Sequence, residues 1–330
     1  MRGRRGLHGC GGLALACVAG VWLTGCVDDW LGHPGRASQT PRAADWAMSE
    51  PARELLAETF ADMPDHIVDH GAYLVRRQPD SGWFARLRAA MWADATGVSD
   101  STRWRPAYVD RLRALTDLPS RDVELVVLTE QTDDSAGWPA RWIPVAQGPV
   151  GKDRWIHGLT LAGGDPEPDR LWIDLTPLED PGPALKLAAS HAAAGQMVFL
   201  LGCLRADVER WQACLRTLRA SEQQERLYIL VDGLGRPDTV SALLNGLLQQ
   251  VDLFDRLRYA SAYPYPAINT NIWLDELVWA GFIERDDVAP LRELYAYNPW
   301  LFDLALKRRL RLPGTEIALT PEVFGPVTGE

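Results

Sequence analysis

With 330 residues, 47% of them hydrophobic, the chain is long and apolar enough to form a large core in one or two domains. Its formal net charge of −10 excludes a broadly basic surface, so nucleic acid is not expected as a partner. The sequence has no repeat of fixed period, which excludes a solenoid architecture.

The first residues have the pattern of a secretory leader. They begin with the basic sequence MRGRR, continue with the apolar and small residues LHGCGGLALACVAGVW, and end in LTGC. The apolar stretch is too short for a typical membrane-spanning helix. LTGC resembles the lipobox of bacterial lipoproteins, which implies removal of residues 1–25 and acylation of Cys26. The alternatives are an ordinary signal peptide and an uncleaved anchor.

Cleavage at this point would leave a lipid-anchored protein of the cell envelope. Val27 rather than aspartate follows Cys26, which in a Gram-negative cell favours the periplasmic face of the outer membrane. The leader contains three arginines and no acidic residue, so the processed chain has a net charge of −13. Because such a surface does not bind an anionic leaflet by itself, membrane attachment would depend on the lipid.

The remaining chain divides into a tether and one domain. Residues 26–62 are rich in Pro, Gly, Ser and Ala and form a tether with a short helix near Glu50 to Thr59. Residues 63–330 form the domain. Apolar runs in it predict strands. These are Ile67–Val75, Val123–Leu128, Arg154–Leu161, Arg170–Leu175, Met197–Leu201, Leu227–Val231 and Leu257–Ala260, with a further candidate at Trp142–Val145.

Runs with helical periodicity fall between many of these strands. They are Trp83–Ala95, Tyr108–Leu115, Ala184–Ala194, Ala206–Ser221, Val240–Val251, Ile272–Gly281 and Asp286–Leu310. Several strands are continuous apolar runs, typical of a parallel sheet buried on both faces. The alternation predicts an α/β fold, specifically a TIM-barrel-like (β/α)8 barrel, complete or abbreviated. The alternative is a doubly wound parallel sheet, although no GxGxxG follows a strand to support dinucleotide binding.

Two stretches near the C-terminus carry a family resemblance. They are YASAYPYPAIN at 259–269 and NPWLFDLALKR at 298–308. They resemble a bacterial branch of the amidohydrolase superfamily, whose members have a strand ending Ser-Asp-Tyr-Pro, a Pro-Ala-Ile-Asn segment, and a late helix that begins Asn-Pro. IVDHGAYLV at 67–75 resembles the first strand of that superfamily, Val-Asp-x-His-x-His-Leu. The resemblance implies a TIM barrel built for metal-dependent hydrolysis.

The same resemblance locates the metal positions. In that superfamily a His-x-His pair, ligands from middle strands and a last-strand aspartate hold a divalent metal that activates water. The corresponding positions here are Gly71, Tyr73 and Ala262. Glycine and alanine side chains carry no ligand atom, and one phenol does not replace two imidazoles. The middle strands end in WIDL, FLLGC and LVDG, without histidine. We therefore expect a degenerate metal site and no cofactor.

Two histidines remain near the first of these positions. His66 and His70 are four residues apart, about 13 Å along a strand, which is too far to share one ion. Strand alternation also turns both away from the face that Gly71 and Tyr73 occupy. Surface or helix-packing roles are expected, and a site for zinc or another divalent metal at these histidines is the alternative.

Three carboxylates are candidates for catalysis without a metal. Glu130, Asp174 and Asp232 lie at or near the carboxyl ends of predicted strands, where barrel enzymes hold their sites. Two of them could act as an acid–base pair in glycoside or ester chemistry. Polar residues also collect at strand ends because they cap the following helix.

The aromatic loop after the last strand suggests a binding pocket. Pocket candidates for a small ligand are Tyr73, Tyr263, Tyr265 and Asn269. Four tryptophans at helical spacing are expected to pack in the core, namely Trp211, Trp273, Trp279 and Trp300. Four basic residues are expected to complement the dipole of the last helix, namely Lys307, Arg308, Arg309 and Arg311. Cys203 and Cys214 could form a disulfide in an exported protein or remain two buried thiols.

Two hypotheses follow. The first is a lipid-anchored envelope protein whose amidohydrolase-like barrel lacks the metal ligands and acts by binding or scaffolding. Its partners would be the membrane, through the lipid, and an envelope protein or small ligand. The alternative is a hydrolase that acts through substituted carboxylates or through a metal site whose ligands lie elsewhere in the sequence.

Overall fold

The structure is a computed structural model that describes residues 48–74, 113–118, 121–129, 140–147, 154–159, 167–176, 178–204, 208–220, 226–233, 240–263 and 272–327. The strands in these ranges are β1 (His66–Leu74), β2 (Asp122–Thr129), β3 (Ala140–Gln147), β4 (Arg154–Leu159), β5 (Glu167–Asp174), β6 (Met197–Leu201), β7 (Leu227–Asp232) and β8 (Leu257–Ala260). The longer helices are α1 (Glu50–Ala61), α2 (Gly182–Ala193), α3 (Val208–Ala220), α4 (Val240–Leu248), α5 (Leu274–Trp279), α6 (Val288–Tyr297) and α7 (Pro299–Arg309). Short 3-10 helices occur at Val251–Arg256, Arg285–Asp287 and Pro321–Phe324.

The predicted leader and Cys26 lie outside the described residues. The predicted helix at the end of the tether is confirmed as α1, where the Ser49 side chain accepts a hydrogen bond from the Ala52 backbone and Pro51 occupies the first turn. None of the helices in the described ranges is long and apolar enough to span a membrane.

The strands are hydrogen-bonded in the order in which they occur along the chain, from β1 to β8. Strands β5 to β8 form a four-stranded parallel sheet, and β1 to β3 are also parallel to one another. The molecule is therefore an α/β protein with parallel sheets. The order shows no reversal of the kind that defines a doubly wound sheet, which argues against that alternative.

Strand β4 departs from the predicted all-parallel arrangement, because it runs antiparallel to both β3 and β5. The reason lies in the connections. The stretches 148–153 and 160–166 are shorter than the roughly dozen residues that a parallel crossover needs, so the strands that they join run antiparallel. The apolar runs predicted the strands themselves, including β3, but apolar runs carry no information on strand direction.

Continuous apolar strands let both faces of the sheet be buried. In β6, Val198 and Leu200 face the helices, whereas Phe199 and Leu201 face the opposite side. The helix side forms the first core, whose members include Ile67, Ile173, Leu200, Ile229 and Tyr259 from the strands and Leu55, Leu185, Leu215, Leu244, Leu294 and Trp300 from the helices. The opposite side forms the second core, which consists of Val68, Val126, Leu128, Trp172, Phe199, Leu201, Tyr228, Leu230, Ala260, Ala262 and Val327.

The C-terminal helical region is broken where a single helix was predicted over Asp286–Leu310. A 3-10 turn and α6 precede Asn298, and α7 begins after it. The break occurs because proline at 299 cannot continue a helix but suits a first turn. The Asn298 side chain then accepts a hydrogen bond from the Leu301 backbone at 2.9 Å and caps α7.

The tryptophan predictions are partly correct. Trp211 and Trp300 are buried, and Trp273 is half-buried. Trp279 is 78% exposed, so its predicted core position is wrong. It is the last residue of the short helix α5, and helical spacing alone does not identify the face that is covered.

Candidate functional site

The first-strand and last-strand metal positions of the resemblance are neighbours in the structure. The backbone N–H of Ala262, just after β8, donates to the carbonyl of Gly71 in β1 at 2.8 Å. Both residues are buried. This contact brings together the two positions at which a first-strand histidine and a last-strand aspartate would meet over a metal.

Apolar neighbours fill the space beside Gly71. A Cβ placed on this residue would lie 3.1 Å from the Ala260 Cβ, 3.4 Å from Leu201 Cδ2 and 3.6 Å from Leu230 Cδ1. The first distance is shorter than an ordinary carbon–carbon contact, so even a methyl group requires a shift of its neighbours. An imidazole in this position would displace residues of the second core.

Ala262 combines complete burial with a left-handed backbone, at φ 53°. This conformation is uncommon for residues other than glycine, and Asn and Asp tolerate it better than alanine does. The methyl group of Ala262 packs in the second core and offers no ligand atom. The side chain of Tyr73 lies outside what the structure describes. Gly71 and Ala262 therefore do not fit a divalent metal.

His70 lies on the same side of the sheet as Gly71, contrary to the expected alternation. Its ring stacks on Phe199 with a centroid separation of 5.2 Å, and Phe199 in turn stacks on Trp172 at 4.6 Å and on Tyr228 at 5.4 Å. The pairing of β1 with β2 shifts register between Asp69 and Ala72, and such an irregularity lets consecutive residues face one side. His70 is thus a buried member of an aromatic stack.

His66 is separate from this stack, at the amino end of β1. Its Nδ1 lies 2.8 Å from Asp122 Oδ2, and its Nε2 lies 3.3 Å from Glu124 Oε2. Both ring nitrogens therefore face carboxylates of β2. Across the described part of the chain, no group of three or more His, Cys, Asp or Glu side chains is arranged to hold a metal ion.

The carboxylate candidates have local hydrogen-bonding roles. Both oxygens of Asp232 accept from the Gly202 N–H, at 3.1 and 2.9 Å, and the residue is fully buried. Asp174 accepts from the Thr176 N–H at 2.9 Å and so stabilises the turn after β5. These two residues lie at the carboxyl ends of β5 and β7, with β6 between them. Glu130 lies outside the described residues.

Gly202 is required at the Asp232 contact. Its φ is +79°, and an added Cβ would lie 2.6 Å from Thr176 Oγ1 and 2.8 Å from the Thr176 nitrogen. Through this hydrogen bond, Asp232 holds the tight turn after β6 against the end of β7, which is a structural role.

Tyr263 does not line an open mouth as predicted. It is fully buried in the first core, and its backbone N–H donates to the Ser261 hydroxyl at 3.0 Å. The other pocket candidates, Tyr265 and Asn269, lie outside the described residues.

A buried ionic cluster was missed by the sequence analysis. Lys307 and Asp303, one turn apart in α7, are 0% and 1% exposed, and the Lys307 ammonium lies 2.6 Å from Asp303 Oδ2. Arg308 is also buried, at 9% exposure. The prediction that these basic residues only complement the helix dipole is therefore wrong for Lys307 and Arg308. The available signal was an Asp–Lys pair at i and i+4 whose aspartate lies within the apolar part of the helix.

Cys203 and Cys214 form a disulfide between the end of β6 and α3, with a Cα–Cα distance of 6.3 Å. Both residues are fully buried. The structure thus has the first of the two arrangements that the sequence left open, a bond and not two buried thiols. Helix α3 lies between β6 and β7 in the chain.

Comparison of the sequence with models of known protein families finds no matching family. Comparison with curated proteins finds no matching relative.

Proposed function

We propose that this chain is a lipid-anchored protein of the cell envelope in which an amidohydrolase-like barrel has lost its metal ligands. In this account it acts by binding an envelope protein or a small ligand, not by hydrolysis. The observation that carries the proposal is the contact between Gly71 and Ala262 in a packed, apolar setting.

Contacts between distant strands support a closed barrel. In a flat sheet, β1 and β6 would be about 24 Å apart at the usual spacing of about 4.8 Å per strand. Yet the rings of His70 in β1 and Phe199 in β6 lie 5.2 Å apart. Gly71 is also close to β6, β7 and β8 through Leu201, Leu230 and Ala260. Such contacts favour a sheet that curls until its first and last strands meet.

The loss of metal chemistry is supported by what surrounds the former ligand positions. A metal site needs ligand atoms, space, and neighbouring groups that hydrogen-bond to the ligands and orient them. The atoms nearest to a Cβ on Gly71 belong to methyl groups, the Gly71 N–H donates to Asp69, and the adjacent His70 ring stacks on Phe199. Because Gly71 is packed among its neighbours and carries no ligand atom, a binding or scaffolding role fits this site better than metal-dependent hydrolysis does.

The described side chains give little support to the alternative, a hydrolase that uses Asp174, Asp232 and Glu130. Asp232 accepts from the Gly202 backbone, and Asp174 caps its own turn. A general acid or base needs a proton-bearing atom directed at substrate. Under this alternative, Asp174→Asn and Asp232→Asn would each abolish a measurable turnover without unfolding the protein.

Export of the chain is supported by the disulfide. Disulfides persist mainly in oxidising compartments such as the bacterial periplasm, and a buried one stabilises chains folded there. The pairing of Cys203 with Cys214 leaves Cys26 as the single other cysteine after removal of the leader. The acidic surface of the processed chain, at −13, also argues against nucleic acid as a partner.

Lipidation at Cys26 is directly testable. In a bacterial host, Cys26→Ser should abolish incorporation of a labelled fatty acid and move the protein from the membrane fraction to the soluble fraction. The reason is that the acidic surface of the processed chain does not bind an anionic leaflet by itself, so attachment depends on the lipid. The measurement is metabolic labelling followed by fractionation.

Cys17→Ser is the matched control, because it removes a cysteine inside the predicted leader and should leave labelling intact. Labelling that survives Cys26→Ser, or disappears equally in Cys17→Ser, would contradict lipidation at Cys26.

A further inference from the structure

A buried polar cluster links the first strand, β1, and the last strand, β8, to helix α7. Lys307 Nζ donates to the Ala260 carbonyl of β8 at 2.9 Å and to Asp303 Oδ2 at 2.6 Å. The Lys307 and Asp303 side chains are almost completely excluded from solvent. Lys307 therefore ties α7 to the last strand through an ammonium group that water cannot reach.

Asp69 makes the matching connections from the first strand. Its Oδ1 accepts from the N–H groups of Gly71 and Ser261, at 3.1 and 2.9 Å, and its Oδ2 accepts from the Trp300 indole at 2.9 Å. These donors belong to β1, to the end of β8 and to α7. Asp69 is fully buried. Both of its oxygens are therefore hydrogen-bonded.

The charges of this cluster do not balance. With all groups ionised, the two carboxylates and one ammonium give an excess of one negative charge in a site without water contact. The titratable groups that face Asp303 among the described residues are Lys307, Asp69 and Tyr259. The Tyr259 hydroxyl lies beside Asp303, but neither this hydroxyl nor Asp303 Oδ1 makes a hydrogen bond of ordinary geometry.

We propose that the cluster binds one proton at Asp303 in mildly acidic conditions, and that this proton strengthens the seam between β1, β8 and α7. The proton comes from solvent and neutralises the excess charge. Lys307 is the one cation that faces Asp303 among the described residues, and it cannot balance the charges of both Asp303 and Asp69. The seam between the first and last strands then becomes a pH-sensitive element of the fold.

The pKa of Asp303 agrees with this geometry. Burial, together with the charge of Asp69, raises it to about 6, although Lys307 and the hydrogen bond with Tyr259 lower it. A carboxyl group whose pKa is higher in the folded than in the unfolded chain stabilises the fold most at pH below its unfolded pKa. That contribution is lost as the pH rises through about 6.

The test is urea unfolding of the full chain between pH 5 and 7.5, followed by tryptophan fluorescence. From pH 5 to 7.5, the unfolding equilibrium constant of the wild type should rise about ten times more than that of Asp303→Asn, because only the wild type loses a proton from Asp303. Asp287→Asn is the matched control, because Asp287 is another buried carboxylate bonded to α7, through Arg309 at 2.7 Å. Between pH 5 and 7.5, Asp287→Asn should show the same change in the unfolding equilibrium constant as the wild type.

A second variant guards against the possibility that Asp303→Asn alone fails to fold. Asp303→Asn with Lys307→Met replaces the pair by neutral groups of similar size, which buried pairs often tolerate. In this double variant, the additional tenfold rise of the unfolding equilibrium constant between pH 5 and 7.5 should also be absent. An infrared band of a protonated buried carboxyl group should be present in wild type at pH 5 and missing in either variant. An unchanged pH dependence in both variants, or no such band in wild type, would overturn the proposal.

Discussion

Asp69→Ala should lower the free energy of unfolding by about 4–5 kcal/mol or prevent folding, which is a large effect for one substitution. The substitution leaves the buried N–H groups of Gly71, Ser261 and Trp300 without an acceptor. Each buried donor left without an acceptor typically costs about 1–3 kcal/mol, and Asp69 serves three of them. The measurement is equilibrium urea unfolding, supported by far-UV circular dichroism.

Two comparisons make this prediction specific. Asp69→Asn keeps an oxygen for the two backbone N–H groups but turns an amide donor toward the Trp300 indole, so its loss should be roughly half as large. Asp122→Ala removes another aspartate of the strand ladder, but this one is 81% exposed and pairs only with His66 among the contacts described. It should change stability by no more than about 0.5 kcal/mol. Equal, small losses in Asp69→Ala and Asp122→Ala would refute a structural role for Asp69.

Gly71→His should destabilise the fold by about 3 kcal/mol or more, although it restores the histidine that the family resemblance places there. The cost is spatial, because the added Cβ already lies 3.1 Å from the Ala260 Cβ and the imidazole must enter a core occupied by Leu201 and Leu230. Thermal and urea unfolding of the purified variant measure the loss.

A compensating pair tests the spatial explanation. Gly71→Ala should be destabilising alone, and Ala260→Gly should recover part of that loss because it removes the nearest methyl group. Strictly additive losses in the double variant would argue that the cost has another origin. A Gly71→His protein as stable as wild type would show that the site still has room for a ligand side chain.

Strand positions followed from the sequence because the apolar runs are long and continuous. β6 and β8 begin and end where predicted, and β7 differs by one residue. Local composition is sufficient for strands buried on both faces. The direction of β4 was not predicted, since direction depends on connection length and not on composition.

Little of the candidate site was predictable from the sequence. The resemblance assigned Gly71 and Ala262 to metal positions but did not predict the backbone hydrogen bond that joins them. The side of the sheet that His70 faces was not predictable, because a register shift within β1 interrupts the alternation. The cluster around Lys307 was also missed, since a basic run near a helix end normally remains in solvent. Only the tertiary packing of α7 against β1 and β8 buries it.

The metal content of the purified full chain tests the central claim most directly. After incubation with zinc or manganese and gel filtration, both wild type and Ala262→Asp should retain far less than one ion per chain by mass spectrometry. Aspartate suits the left-handed backbone at position 262, so failure of that variant would reflect the missing partner at Gly71 and not an incompatible backbone. A stoichiometric ion in wild type that is lost in His66→Ala or His70→Ala would contradict the proposal that the metal chemistry has been abandoned.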